Sequence, residues 1–138
     1  MSAPRITKAH YESLAALRYA LRRFSNFSQE AARKVGTTPQ QHQALLAIKG
    51  FPGRNYASII ELAERLQLRQ HSVVGLVNRL VRRGLVRRLS SKVDRRRVEL
   101  RLTASGEKLL ERLSEIHLQE LRQLGPELHR IIGLITKA

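Results

Sequence analysis

Residues 86–106, VRRLSSKVDRRRVELRLTASG, are the most informative part of the sequence because they predict two short strands joined by a strongly basic turn. Apolar and polar side chains alternate along residues 86–89 and again along 98–102, as in half-buried strands. Serines and an aspartate between them favour a turn. Three consecutive arginines in this turn present guanidinium groups to an anionic partner. Taken alone, the segment fits a solvated basic turn equally well.

Two predicted helices precede this hairpin. Ser58 is placed to cap the first, and Glu61 three residues later completes a capping box. A tight turn at residues 67–69 leads to the second, predicted over residues 70–83 and ended by Gly84. With about 100° of rotation per residue, its apolar and polar side chains fall on opposite sides. Helix, turn, helix and basic hairpin together predict a winged helix-turn-helix, in preference to two core helices with a solvated face.

The two ends of the chain predict dimerisation helices. A long amphipathic helix is expected over residues 6–34, and the next helix opens with Thr38 as cap and Pro39 in its first turn. Residues 104–138 carry more leucine and isoleucine than one helix of a small monomer buries, so a partner helix is expected. The Gly125-Pro126 pair is expected to break this segment into two helices. A twofold dimer would address a palindromic duplex at half-sites roughly 10 base pairs apart.

Composition favours a single domain with a polyanionic partner. The 138 residues include 26 basic and 11 acidic side chains, for a net charge of +15. Residues 69–101 alone hold eleven basic and two acidic side chains, so the contact should be local. The absence of cysteine excludes disulfides, cysteine nucleophiles and cysteine-ligated zinc, and favours the cytoplasm. No membrane span is expected, and an arginine-rich transit peptide in residues 1–24 is a minor alternative.

In its pattern of helices and basic hairpin, the chain resembles the MarR family of bacterial regulators. The most specific match is the wing pattern of Asp94-Arg95-Arg96 with Leu102-Thr103 and Gly106 downstream. The resemblance implies that helices in residues 1–35 and 104–138 interlock two subunits around a DNA-binding region at 36–103, with the wing at about 86–102. It further implies that Arg96 enters the minor groove and that Asp94 orients it. Further matches are Glu61-Leu62-Ala63, Asn78-Arg79-Leu80 and Gly84-Leu85-Val86.

The chain departs from this family at three positions in the helix-turn-helix. Members often have Ser and Arg where this chain has Val74 and Gly75, and often Gly where it has Gln67. The operator sequence therefore cannot be carried over from the family. Members that sense peroxides use an N-terminal cysteine, which this chain lacks.

The predicted DNA-binding residues fall into two groups. Asn and His side chains can read base edges, Arg can read guanine or grip phosphate, and a glycine lets the duplex approach closely. The recognition-helix group is Arg69, Gln70, His71, Ser72, Gly75, Asn78, Arg79 and Arg82. The wing group is Arg87, Arg88, Lys92, Asp94, Arg95, Arg96 and Arg97.

Other side-chain groups give weaker indications. No pair of the five histidines has metal-ligand spacing, and no histidine is placed to activate Ser58 or Ser72, so we expect neither a metal site, a cofactor nor an enzyme. A second group is assigned to core or interface packing in preference to a small-molecule effector pocket. It comprises His10, Tyr11, Arg18, Tyr19 and His42.

We therefore expect a homodimeric, sequence-specific transcriptional regulator that binds double-stranded DNA, with a repressor favoured over an activator and release by an effector left open. An RNA-binding or single-strand-binding module is disfavoured because none of the six aromatic side chains lies in residues 69–101. A non-specific architectural DNA-binding protein is the stronger alternative, since Val74 and Gly75 reduce base reading by the second helix.

Overall fold

A computed structural model describes residue 3 and residues 5–137. The ends of the predicted terminal segments, residues 1, 2, 4 and 138, lie outside the described residues. Two compact units are formed, one from residues up to Ala31 and from Glu115 onward, the other from Ala32–Ser114. The elements in chain order are α1 (Lys8–Lys34), α2 (Pro39–Lys49), α3 (Ile59–Leu66), α4 (Gln70–Arg82), β1 (Val86–Ser90), β2 (Val98–Leu102) and α5 (Ala104–Thr136).

The Ala32–Ser114 unit is a winged helix-turn-helix, as predicted. Helices α2, α3 and α4 pack around one apolar core, and the two strands form an antiparallel hairpin that closes it. The largest side chains in this core lose essentially all contact with solvent, which is the main source of its stability. They include Leu45, Ile48, Leu62, Leu76, Leu80 and Leu100.

The helix ends expected from the sequence are present. Thr38 Oγ1 accepts a hydrogen bond from the backbone N–H of Gln41 at 3.1 Å. Ser58 and Glu61 form the reciprocal capping box, with hydrogen bonds of 3.2 and 2.9 Å between side chain and backbone. Gly84 adopts φ +72° after α4, a left-handed conformation that glycine takes without steric penalty. These local contacts fix where α2 and α3 begin and where α4 ends.

The turn between α3 and α4 uses a glutamine in a conformation that usually favours glycine. Gln67 has φ 53° and ψ 47°, and its backbone N–H bonds to carbonyls of the last turn of α3. Its side-chain amide also donates to the Glu64 carbonyl at 2.8 Å. This added hydrogen bond offsets part of the strain of a left-handed residue with a side chain.

The wing is joined to α5 by a compact set of hydrogen bonds at Thr103. The Thr103 N–H donates to the Leu85 carbonyl at 3.0 Å, and its hydroxyl donates to the Gly84 carbonyl at 2.5 Å. The same hydroxyl accepts the N–H of Gly106 at 3.1 Å, and so caps the first turn of α5. Leu102 is buried beside this joint. The Leu-Thr-x-x-Gly part of the family pattern is therefore structural in this chain.

The other unit contains most of α1 and the C-terminal part of α5. His117 of α5 lies edge-on to the rings of Phe24 and Phe27 of α1, at centroid distances of 5.9 and 5.7 Å. Its Nε2 lies 2.8 Å from the Ser28 hydroxyl. Many apolar side chains of this unit remain exposed, as expected for a surface that packs on a partner. They are Ile6, Tyr11, Leu14, Tyr19, Leu21, Ile116, Leu118, Leu121, Ile132, Leu134 and Ile135.

The prediction that Gly125-Pro126 breaks the C-terminal helix is wrong, because α5 is continuous from Ala104 to Thr136. A proline normally disfavours helix in the preceding residue by clashing with its Cβ, but Gly125 has no Cβ. Pro126 lacks the N–H that would donate to the carbonyl four residues earlier, and it is exposed, so water can reach this part of the helix. Burial of Ile131 one turn later favours continuing the helix. Helix α1 also begins at Lys8, two residues later than predicted.

None of the helices in the described part of the chain is both long enough and apolar enough to cross a bilayer.

The Thr103 joint predicts that Gly106→Ala destabilises the protein. A Cβ at Gly106 would lie 2.1 Å from the Leu85 carbonyl oxygen, and backbone atoms cannot move aside cheaply. Over-packing of this kind costs about 1–3 kcal/mol, so we expect the midpoint of thermal unfolding to fall by roughly 5–10 °C. Circular dichroism during heating measures the change.

The matched control is Ser105→Ala, at the exposed neighbouring position in the same helical turn. It should melt within about 2 °C of wild type, since exposed substitutions change stability little. A Gly106→Ala protein that melts with the control would contradict the structural role of the joint.

Candidate nucleic-acid interface

Helix α4 presents a polar face to solvent. Its apolar residues Val73, Leu76, Val77 and Leu80 are buried against the core of the winged-helix unit. The opposite side is free to meet a ligand, except that Gly75 is half-buried. A Cβ at Gly75 would lie 3.5 Å from an Arg79 guanidinium nitrogen, which is an ordinary contact. Because glycine has no side chain, a ligand can approach the helix backbone closely at the centre of this face. The exposed predicted recognition residues are Arg69, Gln70, His71, Ser72, Asn78, Arg79 and Arg82.

The turn of the wing is ordered by short-range hydrogen bonds. Ser91 donates its backbone N–H to the Arg97 carbonyl at 2.9 Å, and its hydroxyl accepts the N–H of Val93 at 3.2 Å. The Arg97 N–H donates to the Asp94 carbonyl at 3.0 Å. These bonds close the loop between β1 and β2, so its cationic side chains project from a defined turn. The exposed ones are Lys92, Arg95, Arg96 and Arg97.

Asp94 organises this turn through the backbone. One carboxylate oxygen accepts the backbone N–H of Arg96 at 3.0 Å, and the other lies 3.9 Å from Nε of Arg97. The resemblance to the family implies that Asp94 orients Arg96. In this structure the orienting contact is to the main chain of Arg96, while the ion pair is made with Arg97. The Arg96 side chain is exposed to solvent at the turn.

Arg88 and Asn78 connect the wing to the recognition helix. The guanidinium of Arg88 in β1 donates from Nη2 to the Asn78 side-chain oxygen in α4. Arg87, the preceding residue in β1, is also exposed. Two residues assigned separately by sequence reasoning, one to the helix and one to the wing, thus form a single unit on the surface.

A column of aromatic rings and guanidinium groups, which sequence reasoning missed, supports the base of the wing. Arg54, in the loop before α3, lies over the rings of Phe51 and Tyr56 at 4.2 and 4.7 Å. Arg101 of β2 also lies over the Tyr56 ring, 4.5 Å from its centre, and donates to the Asn55 side chain at 3.1 Å. Such cation–π contacts hold the loop and β2 together. The available signal was the pairing of aromatic and arginine residues in this loop.

Arg83 anchors the end of the recognition helix to the start of α2. Its Nη1 donates to Gln41 Oε1 at 2.6 Å and to the Thr37 hydroxyl at 3.2 Å. Thr37 and Gln41 are buried, and they are joined by a 3.0 Å hydrogen bond. This arginine therefore serves the fold, although it lies within the basic segment.

The five residues considered for an effector pocket are divided between the two units. His10, Tyr11, Arg18 and Tyr19 are exposed on α1, and His42 is buried in α2. Among the residues that the structure describes, no cluster of three or more histidine, aspartate or glutamate side chains is arranged to hold a metal ion.

Comparison with known proteins finds similarity in the winged-helix part of the chain. Residues 35–97, 63 of the 138 residues, match the family model described as the MarR family. A protein of Thauera aromatica, named as a candidate transcriptional regulatory protein for the hcr operon, is 28% identical over 119 residues, which cover 83% of this chain and 70% of that protein. The relatives that match are described as transcriptional regulators.

Solved structures of MarR-family proteins share the fold. A family member from Bacillus stearothermophilus superposes with a TM-score of 0.75 at 24% identity, covering 87% of this chain and 82% of that one. A mutant MarR from E. coli complexed with operator DNA superposes with a TM-score of 0.66 at 24% identity, covering 80% and 78%.

The capping box at the start of α3 predicts a pH-dependent contribution to stability. Partial burial disfavours the charged form of Glu61, but hydrogen bonds from Ser58 and the ion pair with Arg54 outweigh it and lower the pKa of this carboxyl. A lowered pKa stabilises the fold above the unfolded-state value and loses that effect as pH falls through the folded value. Glu61→Gln, which removes the charge, should therefore be less stable than wild type at pH 7.

The difference in unfolding free energy should shrink as pH falls below about 4.5, because the unfolded carboxyl then binds a proton while the folded one is still ionised, and the loss is complete once pH has fallen through the lowered pKa of the folded carboxyl. Urea unfolding of both proteins between pH 3 and 7 measures it. Glu64→Gln, at an exposed position of the same helix, is the matched control. A difference for Glu61→Gln that is independent of pH would contradict the electrostatic assignment.

Proposed function

We propose that this protein is a MarR-family regulator, a homodimeric, sequence-specific DNA-binding repressor of transcription that acts in the cytoplasm. The observation that carries the proposal is the pairing of an exposed polar face on α4 with an arginine-rich turn, both held by one rigid winged-helix unit. That pairing suits a helix in the major groove and a wing against the adjacent backbone or minor groove. The relative from E. coli, which shares the fold, is complexed with operator DNA.

The residues assigned to DNA have distinct proposed roles. Residues of α4 from Gln70 to Arg82 read the major groove, Arg96 enters the minor groove, and Asp94 holds the backbone that carries it. Arg69 and Arg87 hold phosphates, and so do the wing cations around Arg96. Arg88, which the sequence assigns to phosphate with them, is bonded to Asn78 in this structure. The distribution of charge supports this, since residues 69–101 hold eleven basic and two acidic side chains.

The exposed apolar side chains of α1 and α5 support a homodimer. Along α5, Leu118, Leu121, Ile132 and Ile135 recur at spacings of three and eleven residues, which places them on one face of the helix. A stripe of this kind is stabilised by packing against a second apolar surface. We propose that residues 1–35 and 104–138 form this interface, and that residues 36–103 form the DNA-binding region of one MarR-like domain.

Repression follows if the dimer occupies a palindromic promoter site and blocks it. For His10, Tyr11, Arg18, Tyr19 and His42, packing in the core or at the dimer interface is the favoured role. Contact with a small-molecule effector that releases the duplex is the alternative.

Competition binding tests the sequence-specific function. A duplex selected from a random pool should remain bound against a thousandfold excess of random DNA, because specific sites are typically about 10³ to 10⁷ times tighter than non-specific ones. Arg96→Ala should weaken binding to that duplex by roughly tenfold at 150 mM salt. Fluorescence anisotropy across a salt series measures both quantities.

Arg112→Ala is the matched control, since it removes one exposed arginine on α5 outside the proposed DNA surface. It should bind within about twofold of wild type. Displacement of the selected duplex by random DNA would favour an architectural protein, and an Arg96→Ala protein equal to wild type at every salt concentration would contradict the minor-groove assignment.

The proposed interface predicts that Ile132→Glu weakens the dimer. Ile132 is 48% exposed in one chain, and a carboxylate buried there against a partner would lack a compensating charge. We expect the dissociation constant of the dimer to rise by at least roughly 100-fold. Sedimentation velocity at micromolar concentrations measures the distribution of monomer and dimer.

Gln119→Glu is the control, because it adds the same charge on the exposed side of α5 away from this apolar stripe. It should remain dimeric. A wild-type protein that sediments as a monomer, or an Ile132→Glu protein that dimerises like the control, would exclude this interface.

A further inference from the structure

We propose that Arg88 determines which base Asn78 reads, so that the pair recognises guanine in the major groove and not adenine. This inference rests on the proposed DNA-binding function and specifies it at one position of the recognition helix. The hydrogen bond between the Arg88 guanidinium and the Asn78 side-chain oxygen carries it.

The register of the hairpin explains why Arg88 reaches the recognition helix. Val86 pairs with Leu102 and Arg88 pairs with Leu100, so these four side chains share one face of the hairpin. Val86, Leu100 and Leu102 are buried on that face. Arg88 lies one step further along the same face, beyond the edge of the core, where its guanidinium meets Asn78 of α4.

Arg87, the neighbour of Arg88 in β1, serves as its control. Side chains of successive strand residues point to opposite faces, so Arg87 lies on the face of the hairpin away from the core. It is exposed and carries the same charge as Arg88. The two arginines therefore differ in contact with Asn78 while sharing charge, length and position in the wing.

The identity of the bonded atoms follows from chemistry. A guanidinium has only N–H donors, so its partner on Asn78 has to be the side-chain carbonyl oxygen and not the amide nitrogen. The two N–H donors of the Asn78 amide are then the groups left to face a base. Because the Arg88 contact sets the plane of the amide, these donors are oriented before DNA binds.

An asparagine without such a partner is suited to adenine. It accepts from the adenine N6 amino group through its oxygen and donates to N7 through its nitrogen. With Arg88 on the oxygen, the adenine amino group would approach a site already occupied by guanidinium N–H donors. The oxygen keeps a second lone pair, so adenine is disfavoured because its amino group would have to share this oxygen with the guanidinium, whose N–H donors it then meets.

Guanine matches the paired side chains instead. Its major-groove edge offers two acceptors, O6 and N7. The Asn78 amide and the remaining N–H groups of Arg88 supply donors only, so every group of the pair that meets this edge finds an acceptor. Each well-formed bidentate base contact discriminates by roughly 5- to 150-fold against the wrong base.

The test compares base preferences of three variants by selection of duplexes from a random pool. The Asn78→Ala variant identifies the base pair that Asn78 contacts, because the base preference of wild type should be lost at that position of the duplex. Arg88→Met removes the guanidinium and keeps an unbranched side chain of similar length, so the packing of its stem is preserved. Arg87→Met is the matched control.

Wild type and Arg87→Met should both prefer guanine at that position, and Arg87→Met should bind all duplexes more weakly with a log–log salt slope smaller by about 1. Arg88→Met should shift the preference to adenine by roughly fivefold or more. Three results would overturn the inference while leaving DNA binding intact. They are a guanine preference that is unchanged in Arg88→Met, an adenine preference in wild type, and an Asn78→Ala protein that loses its base preference at no position. Failure of wild type to enrich any duplex would overturn the proposed function, and this inference with it.

Discussion

The hydrogen bonds at the base of the wing hold the arginine-rich turn in a fixed position beside the recognition helix. The Thr103 N–H bonds to the Leu85 carbonyl at 3.0 Å, and Leu100 exchanges backbone hydrogen bonds with Ala57 at 2.8 and 3.2 Å. Because β1 starts directly after α4, these bonds fix the arginine turn relative to the recognition helix. A protein that contacts both grooves of DNA needs the helix and the wing in a fixed relation, since either element alone would contact the duplex at an undefined register.

Charge alone overstates how many arginines are available to DNA. Arg83 is bonded to Gln41 and Thr37, and Arg101 is stacked on Tyr56. Their charges still contribute to the field that attracts a polyanion, but their donors are engaged within the protein. The exposed cations at the turn, Arg95 and Arg96 among them, are the ones free to contact phosphates and the minor groove. The proposed DNA surface is therefore smaller than the net charge suggests.

Local chemistry made much of this fold predictable from sequence. The caps at Thr38 and Ser58 and the stop at Gly84 depend on neighbouring residues, so their positions follow from residue type and spacing. The continuity of α5 through Pro126 was missed, because it depends on burial in tertiary structure. The bond between Arg88 and Asn78 was also missed, since it requires the register of the hairpin and the position of α4 together.

Hydroxyl-radical footprinting of the selected duplex shows whether two chains bind it as a symmetric pair. Two chains joined by their terminal helices, each with a recognition helix and a rigid wing, should protect two equivalent segments about 10 base pairs apart, related by twofold symmetry, with added minor-groove protection at the outer flanks. A single unsymmetrical segment, or continuous protection that spreads along the DNA with increasing protein, would contradict it.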